Sequence, residues 1–396
     1  MSIVNERMEA LGNVRSVIRD LFEYGLQRKK AVGEENVYDY SLGNPSVPAP
    51  SCVNEAIEDL IRTADPVTLH GYTSAVGAED VRLAIAAYIN ETFQAGVSAS
   101  DLYMTCGAAA SLTITLNALS TPEDECIAFA PFFPEYRVFA EGAGMKFRIV
   151  PADTKAFQIV FDALTKTVTK NTKAVIVNSP NNPSGVVLKR ETLDKLCAFL
   201  REKEEAYGHP IYLISDEPYR ELVYDGQEVP YLPNLYDDTI VCYSFSKSLS
   251  LPGDRIGYIL VSPKAAYRQE VFAAVAGAGR SLGYVCAPAM MQRVIARCLG
   301  KTSDLNVYRE NRDLLYNALT SFGYEAVYPD GAFYLFVKTP VEDAKAFSEK
   351  AKEYDLLLVP SDSFGCEGYV RISYCVSTDM IRRSLPAFEK LIAEYR

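Results

Sequence analysis

Histidine is nearly absent from this 396-residue chain, which has only His70 and His209. Metal centres built from several imidazoles are excluded, and a Ser-His-Asp relay would have to rest on one of these two. His209 stands in the helix-stop signal Tyr207-Gly208-His209-Pro210 and His70 precedes a Gly-Tyr-Thr turn, so both read as loop residues. The nine cysteines contain no Cys-x-x-Cys pair and none neighbours a histidine. They read as free thiols in a reducing compartment, and no metal is expected. No run of about 18 apolar residues occurs, and the start, Met1-Ser2-Ile3-Val4-Asn5, lacks a basic region followed by an apolar core. The expectation is a cytoplasmic protein with no membrane partner. Basic excess is lacking too: 40 Lys and Arg against 51 Asp and Glu give a net charge of −11. That argues against nucleic acid or an acidic membrane as partner, while leaving room for small anions held by a local arginine cluster.

What is present is an ordinary globular composition, 48% hydrophobic and 23% charged, at a length that suits a large core and two domains. A long amphipathic helix is expected from about Asn5 to Lys30, with Leu11, Val14, Ile18, Leu21, Phe22 and Leu26 at helical spacing. The segment 40–50 is too proline-rich for regular structure and reads as a crossing between domains. Buried strands then alternate with helices. Apolar runs at 126–130, 173–177, 211–215 and 239–243 lack charge in their interiors, and the helix 190–207 stops at Gly208. The expected fold is α/β, a large domain over 46–287 with a mainly parallel sheet flanked by helices. Residues 1–45 and 288–396 then form an N-terminal arm and a smaller α+β domain. Gly277-Ala278-Gly279-Arg280-Ser281-Leu282-Gly283 is no dinucleotide fingerprint, because its spacing is one residue too long and it follows a helical pattern.

Several strand ends carry chemistry. The run 239–243 delivers Ser244-Phe245-Ser246-Lys247, with Arg255 eight positions on. In an open α/β sheet the carboxyl ends of strands face the ligand crevice, so this amine is placed at a small molecule. A lysine amine condenses with an aldehyde to a Schiff base, and desolvation beside a cation makes it nucleophilic near neutrality. Leu102-Tyr103-Met104-Thr105-Cys106-Gly107-Ala108-Ala109 turns from a strand through small residues into a helix, whose first N–H groups offer a phosphate socket. Phe133 follows the strand 126–130 between prolines, where a ring can stack on a planar ligand or simply pack in the core. Asn181-Asn182-Pro183-Ser184-Gly185 holds amides on a stiff loop. Asp216-Glu217-Pro218-Tyr219 ends another strand, with an aspartate suited to a protonated ring nitrogen and a tyrosine suited to a phenolic oxygen. Arg371, amid strand residues 369–374, calls for an anion, either a ligand carboxylate or an internal acid. Gly43 and Tyr72 stand on loops, as a turn glycine that also permits close backbone approach and as an aromatic hydroxyl able to reach a phosphate.

The ordered set Gly107-Ala108-Ala109, Phe133, Asn182-Pro183-x-Gly185, Asp216-x-x-Tyr219, Ser244-x-Ser246-Lys247, Arg255 and Arg371 resembles the class I/II aminotransferases of fold type I, the aspartate-aminotransferase-like group in particular. The resemblance covers nearly the whole chain. It implies pyridoxal 5'-phosphate (PLP) bound to Lys247 as a Schiff base, and an amino group moved between an L-amino acid and a 2-oxo acid. By the same resemblance Asp216 meets the ring nitrogen, Asn182 and Tyr219 the ring oxygen, and Phe133 the ring face. Gly107, Ala108, Ala109, Ser244, Ser246 and Arg255 hold the phosphate, which Tyr72 reaches from the partner of a homodimer. Arg371, Asn182 and the Gly43 backbone bind the α-carboxylate. Ala109 stands where some bacterial members carry a dicarboxylate-reading lysine. Arg280 lies in the region of another such cation without aligning cleanly, so an aspartate-type or a broad specificity stays open. A PLP-dependent C–S lyase is the enzyme alternative. A PLP-sensing regulatory domain is the non-enzyme one, set back by the want of a DNA-binding segment ahead of the arm helix.

Overall fold

The computed structural model describes residues 3–13 and 17–396. The chain divides into two compact units, one of 45–305 with 330–332, the other of 1–44, 306–329 and 333–396. The second boundary differs from the expected 287/288 because the helix Ala289–Ala296 belongs to the larger unit. Its Met291, Val294 and Ile295 are buried in one cluster with Val53, Leu60 and Ile85 of the helices Ser51–Thr63 and Glu79–Phe93. A hydrophobic stripe goes where it finds partners, and this one finds them before the chain leaves the large unit.

The large unit is built on seven strands: β1 (Leu102–Thr105), β2 (Glu125–Phe129), β3 (Lys146–Val150), β4 (Thr172–Asn178), β5 (Tyr212–Asp216), β6 (Thr239–Ser244) and β7 (Gly257–Val261). Their spatial order is β1-β7-β6-β5-β4-β2-β3. The pairs β2/β3, β2/β4, β4/β5 and β5/β6 are parallel, whereas β7 runs antiparallel to both β1 and β6. Six strands therefore point one way and β7 alone points back. Side chains alternate between faces as strand geometry requires. Ile176 and Ile214 join Leu112 and Leu116 of the helix Ala108–Leu119, while Val175, Val177 and Leu213 join Leu193, Leu196 and Leu200 of the helix Arg190–Tyr207. Both faces are covered, which is why these strands carry near-continuous apolar runs. The helix Arg190–Tyr207 ends at Gly208 with φ 76°, a left-handed turn that glycine takes without strain.

The small unit holds a four-stranded sheet of β8 (Glu325–Ala326), β9 (Tyr334–Lys338), β10 (Val359–Pro360) and β11 (Tyr369–Ser373) in the order β10-β11-β9-β8, with every neighbour antiparallel. Tyr38–Asp39 and Leu356–Leu357 form a separate parallel pair. The helix expected over 5–30 is described as Glu6–Asn13 and Val17–Val32, and Val14 of its stripe lies outside the described residues. The helices Ala344–Ala351 and Thr378–Ala393, with Leu305–Ser321 from its second residue on, belong to this unit. Among the described residues no helix is long and apolar enough to cross a membrane.

Candidate active site

Parallel strands deliver their carboxyl ends to one edge of the sheet, and most of the singled-out residues of the large unit stand just beyond those ends. Asp216 closes β5 and lies in register with Asn178 of β4 and Cys242 of β6. Ser244 closes β6, and the short helix Phe245–Ser248 that follows carries Lys247. Thr105 closes β1 ahead of Gly107 and the helix Ala108–Leu119, and β2 leads to Phe133. Arg255 reaches the same edge by the reverse route. Because β7 runs backwards, its first residue, Gly257, pairs with both Thr105 and Ser244, and Arg255 precedes it by two residues.

At the β1 and β7 ends the backbone is brought unusually close. Gly107 has φ 90°, and a Cβ there would stand 2.9 Å from Arg255 Nη2. A Cβ on Gly257 would meet the Tyr243 carbonyl oxygen at 2.2 Å and Gly107 Cα at 3.0 Å. Only glycine fits either place, and at these strand ends stand the first N–H groups of a helix, a guanidinium and two hydroxyls. The hydroxyls are those of Ser244 and Ser246, 2.7 Å apart, with Ser244 Oγ also accepting the Ser246 N–H at 3.1 Å. Arg255 is oriented by donating Nη1 to the Pro252 carbonyl at 3.0 Å.

Asp216 is 5% exposed and its two oxygens differ. Oδ2 accepts the hydroxyl of Tyr136, whereas Oδ1 is sealed from water and has no hydrogen-bond partner among the described residues. Burial pushes this carboxyl up to about 7, against the Tyr136 hydrogen bond that pulls it down and with the neighbouring Glu217 charge adding to the rise. A half-satisfied buried carboxylate costs on the order of 1–3 kcal/mol, so an oxygen left this way marks a place for a partner. Asn178 steadies the neighbourhood: its Nδ2 donates to the Asp216 carbonyl at 3.0 Å and its Oδ1 accepts the Asn182 N–H at 2.7 Å. The ring of Phe133 meets Tyr136 edge to face at 5.7 Å. Asn182 and Tyr219 are buried at 5% each.

In the small unit Arg371 is 2% exposed on β11. It donates Nη2 to the Ser41 carbonyl at 2.6 Å, and its guanidinium lies 4.8 Å from the Tyr334 ring centre and 5.3 Å from that of Phe364. Gly43 abuts the same tyrosine, since a Cβ there would sit 2.1 Å from Tyr334 Oη. Two residues singled out from separate ends of the sequence thus share one aromatic neighbour. Tyr72 is 89% exposed, and Arg280, in the helix Arg268–Ser281, is exposed too. Among the described residues no three His, Cys, Asp or Glu side chains gather as a metal set.

Sequence reasoning passed over Tyr136, Asn178 and Gly257. Tyr136 stands three residues after Phe133 in Pro131-Phe132-Phe133-Pro134-Glu135-Tyr136, a spacing that returns a side chain to the same side once the helix Glu135–Gly142 begins. Asn178 is the last residue of a strand already marked by the loop it feeds.

The chain matches the model of the aminotransferase class I and II family over residues 35–388. It is 30% identical to the aspartate aminotransferase of Thermotoga maritima over 90% of this chain and 92% of that one. To the aromatic-amino-acid aminotransferase 2 of Thermococcus litoralis it is 29% identical, over 99% and 98% of the two chains. Among solved structures, an amino transferase from Eubacterium rectale is 56% identical and superposes with a TM-score of 0.98 over 100% of both chains.

Proposed function

We propose, from the premise that this chain belongs to the aminotransferase class I and II family, that Lys247, Asp216 and Arg371 carry its reaction. The chain is a PLP-dependent enzyme that transfers amino groups, and its substrates are amino acids and 2-oxo acids. When bound, PLP supplies an electron sink for the charge left on the substrate Cα once that carbon loses a proton. The residues present fit this group on two counts: Asp216 Oδ1 is a sealed acceptor without a partner, and Gly107 opens a socket against Arg255.

The roles follow from what each group can do. Asp216, as an anion, holds a proton on the pyridine nitrogen. Asn182 and Tyr219 would donate to the ring oxygen, and Phe133 would cover one ring face. Gly107, Ala108, Ala109, Ser244, Ser246 and Arg255 meet the phosphate, with Arg255 countering its charge and the helix end supplying N–H donors. Lys247 would hold the cofactor through its aldehyde carbon and, once its amine is free again, would move the proton at the substrate Cα. Arg371 takes the α-carboxylate with its planar fork, helped by Asn182 and by the bare backbone of Gly43. The observation that carries the reading is the sealed oxygen of Asp216, without a hydrogen-bond partner among the described residues, at the sheet edge that also bears Lys247.

Specificity is of the aspartate type or broad, supported by relatives named aspartate and aromatic-amino-acid aminotransferases. The active form is a homodimer in which Tyr72 serves the partner's phosphate site and Arg280 the partner's substrate. The support is that Tyr72 is 89% exposed in its own chain. A reducing, cytoplasmic setting accords with nine unpaired cysteines. The test is a panel of single amino acids with and without 2-oxoglutarate. Amino transfer that requires the acceptor supports the reading, and release of ammonia and pyruvate without it replaces the reading with a lyase.

A further inference from the structure

Lys247 rides on the helix Phe245–Ser248, a single turn of four residues. So short a turn gains little internal hydrogen bonding against the cost of fixing its dihedrals, and it does not hold its shape alone. Contacts from outside must therefore set the direction in which the amine leaves. At the start of the turn, the Phe245 N–H donates to the Ile256 carbonyl at 3.2 Å. At its end, Ser248 is buried and held twice. The Ser248 carbonyl accepts the Ser303 N–H at 2.8 Å, and Ser248 Oγ lies 3.2 Å from the hydroxyl oxygen of Tyr243.

Tyr243 stands on β6 ahead of the turn, yet its side chain reaches both ends of it. Its ring meets that of Phe245 edge to face at 5.0 Å and stacks at 4.9 Å on that of Tyr258, its partner across β6 and β7. Its hydroxyl donates to Glu221 Oε1 at 2.8 Å. A phenol has one proton to give, so with that proton on the carboxylate the Ser248 hydroxyl is the donor to Tyr243 Oη. The bonds run in one sense, from Ser248 to Tyr243 to Glu221, and end on a carboxylate, the kind of acceptor that makes such bonds strong. Burial raises the Glu221 carboxyl, while the Tyr243 hydroxyl and then the Arg220 charge pull it back toward the anion. None of the three stands in the set assigned to PLP or substrate.

We propose that Glu221 and Tyr243 are positioning residues for Lys247, acting through Ser248 to hold the turn so that the amine is presented to the aldehyde carbon of PLP. The inference rests on the role of Lys247 given under the proposed function. Ser248 directly follows Lys247, so a shift of its side chain moves the lysine backbone with it. A misplacement of about 1 Å at a reacting group costs roughly 100-fold in rate, which sets the scale of the effect. The amine itself touches neither Glu221 nor Tyr243 in this account; they act on it through the turn.

The test titrates the PLP-loaded full chain with methylamine, which competes with the lysine for the aldehyde carbon and leaves the lysine amine free. Borohydride then fixes whatever remains joined to the chain, and mass spectrometry reads the fraction of protein carrying PLP. The methylamine concentration that halves this fraction measures how well the turn presents its amine. Ser248→Ala cuts the link at the lysine end and leaves Tyr243 on Glu221. It is expected to lower that concentration roughly tenfold and kcat about 10- to 100-fold, with KM for the amino acid within about twofold. Tyr243→Phe and Glu221→Leu are expected to do the same, whereas Glu221→Gln, whose amide oxygen still accepts the phenol proton, recovers most of the loss. Wild-type midpoints in Ser248→Ala and Tyr243→Phe, whatever their Tm, would show a merely structural network and overturn the proposal. If Tyr243→Phe does not fold, the same result in Ser248→Ala alone decides against it. A wild-type chain that carries no more fixed PLP than Lys247→Ala fails the reading of Lys247 itself, and the inference with it.

Discussion

Asp216 at the end of β5 in the large unit and Arg371 on β11 in the small unit are both nearly sealed from water, at 5% and 2% exposure, and carry groups of opposite charge type. Asp216 has one donor, Tyr136, and one oxygen left bare. The contacts of Arg371 include a carbonyl and two ring faces. A carboxyl with a bare oxygen is stressed and pushed up to about 7, so it gains most from a partner that stays. A guanidinium remains charged at any working pH and keeps its attraction for an anion that comes and goes. The comparison sets a residue proposed for the cofactor against one proposed for the substrate, and substitutions of the two are expected to fail differently.

The largest effect belongs to Lys247→Ala. Removing the amine proposed to shuttle the proton is expected to cost ~10⁴-fold in turnover, with PLP still retained by the residues proposed to hold its phosphate and ring nitrogen. Measured together, amino transfer vanishes and cofactor remains on the protein after gel filtration. Transamination that persists in this variant removes Lys247 from the mechanism. Next comes Arg371→Leu, which touches only the substrate end. A lost buried charge contact of about 2–4 kcal/mol raises KM by roughly 30- to 1000-fold, with PLP affinity unchanged. A variant with normal KM, or one that sheds PLP, collapses the distinction between the two ends.

The pH dependence sharpens the cofactor side. In the cofactor-free protein the Asp216 carboxyl is raised from its ordinary 3.8 to about 7 by burial, so between those values the folded chain holds a proton that the unfolded chain has released. Stability contributed by this group is therefore full below about pH 4 and falls as pH rises toward 7. Cofactor reverses the trend, since a charged partner rewards the anion. The Tm gain on adding PLP is expected to be larger at pH 7.5 than at pH 5.5, by roughly 1–2 °C. A gain that shrinks as pH rises contradicts the assigned partner.

The large unit was legible because its strands are buried on both faces and carry unbroken apolar runs, so 172–178, 212–216 and 239–244 stand out along with the residues that follow them. What escaped was whatever depended on direction or on distant packing. Gly257–Val261 reads as one more strand, and nothing local says that it runs backwards. Yet that reversal explains how Arg255 reaches the sockets of β1 and β6. The helix Ala289–Ala296 shows its apolar stripe in sequence but not the helices it packs on, hence the misplaced boundary. Arg371 was visible as a charge in a strand, while its ring neighbours Tyr334 and Phe364 lie 37 and 7 residues away. Tyr136 was overlooked for a chemical reason: a tyrosine among aromatic residues looks like core, and only the position of Asp216 gives its hydroxyl a task.

That hydroxyl supplies the smallest and finest test. Tyr136 is 2% exposed and its own ionisation is driven far above the ordinary range, chiefly by burial and then by the Asp216 charge, so it remains a donor throughout the working pH. Its hydrogen bond stabilises the anionic carboxylate and opposes the burial that favours the protonated form. Tyr136→Phe keeps the ring against Phe133 and deletes only that bond. Asp216 should then titrate higher still, and the acid limb of PLP binding should move up in pH with it. A hydrogen bond to a charged group contributes about 1.5–3 kcal/mol, so PLP affinity near neutrality should fall roughly 10- to 100-fold. KM for the amino acid should hold once the enzyme is saturated with cofactor, because Arg371 and Gly43 are untouched. A purely structural role for Tyr136 would lower Tm without moving the pH limb. Substitution by His, a different donor of similar reach, would restore the limb only if a hydrogen bond to Asp216 is what the position supplies.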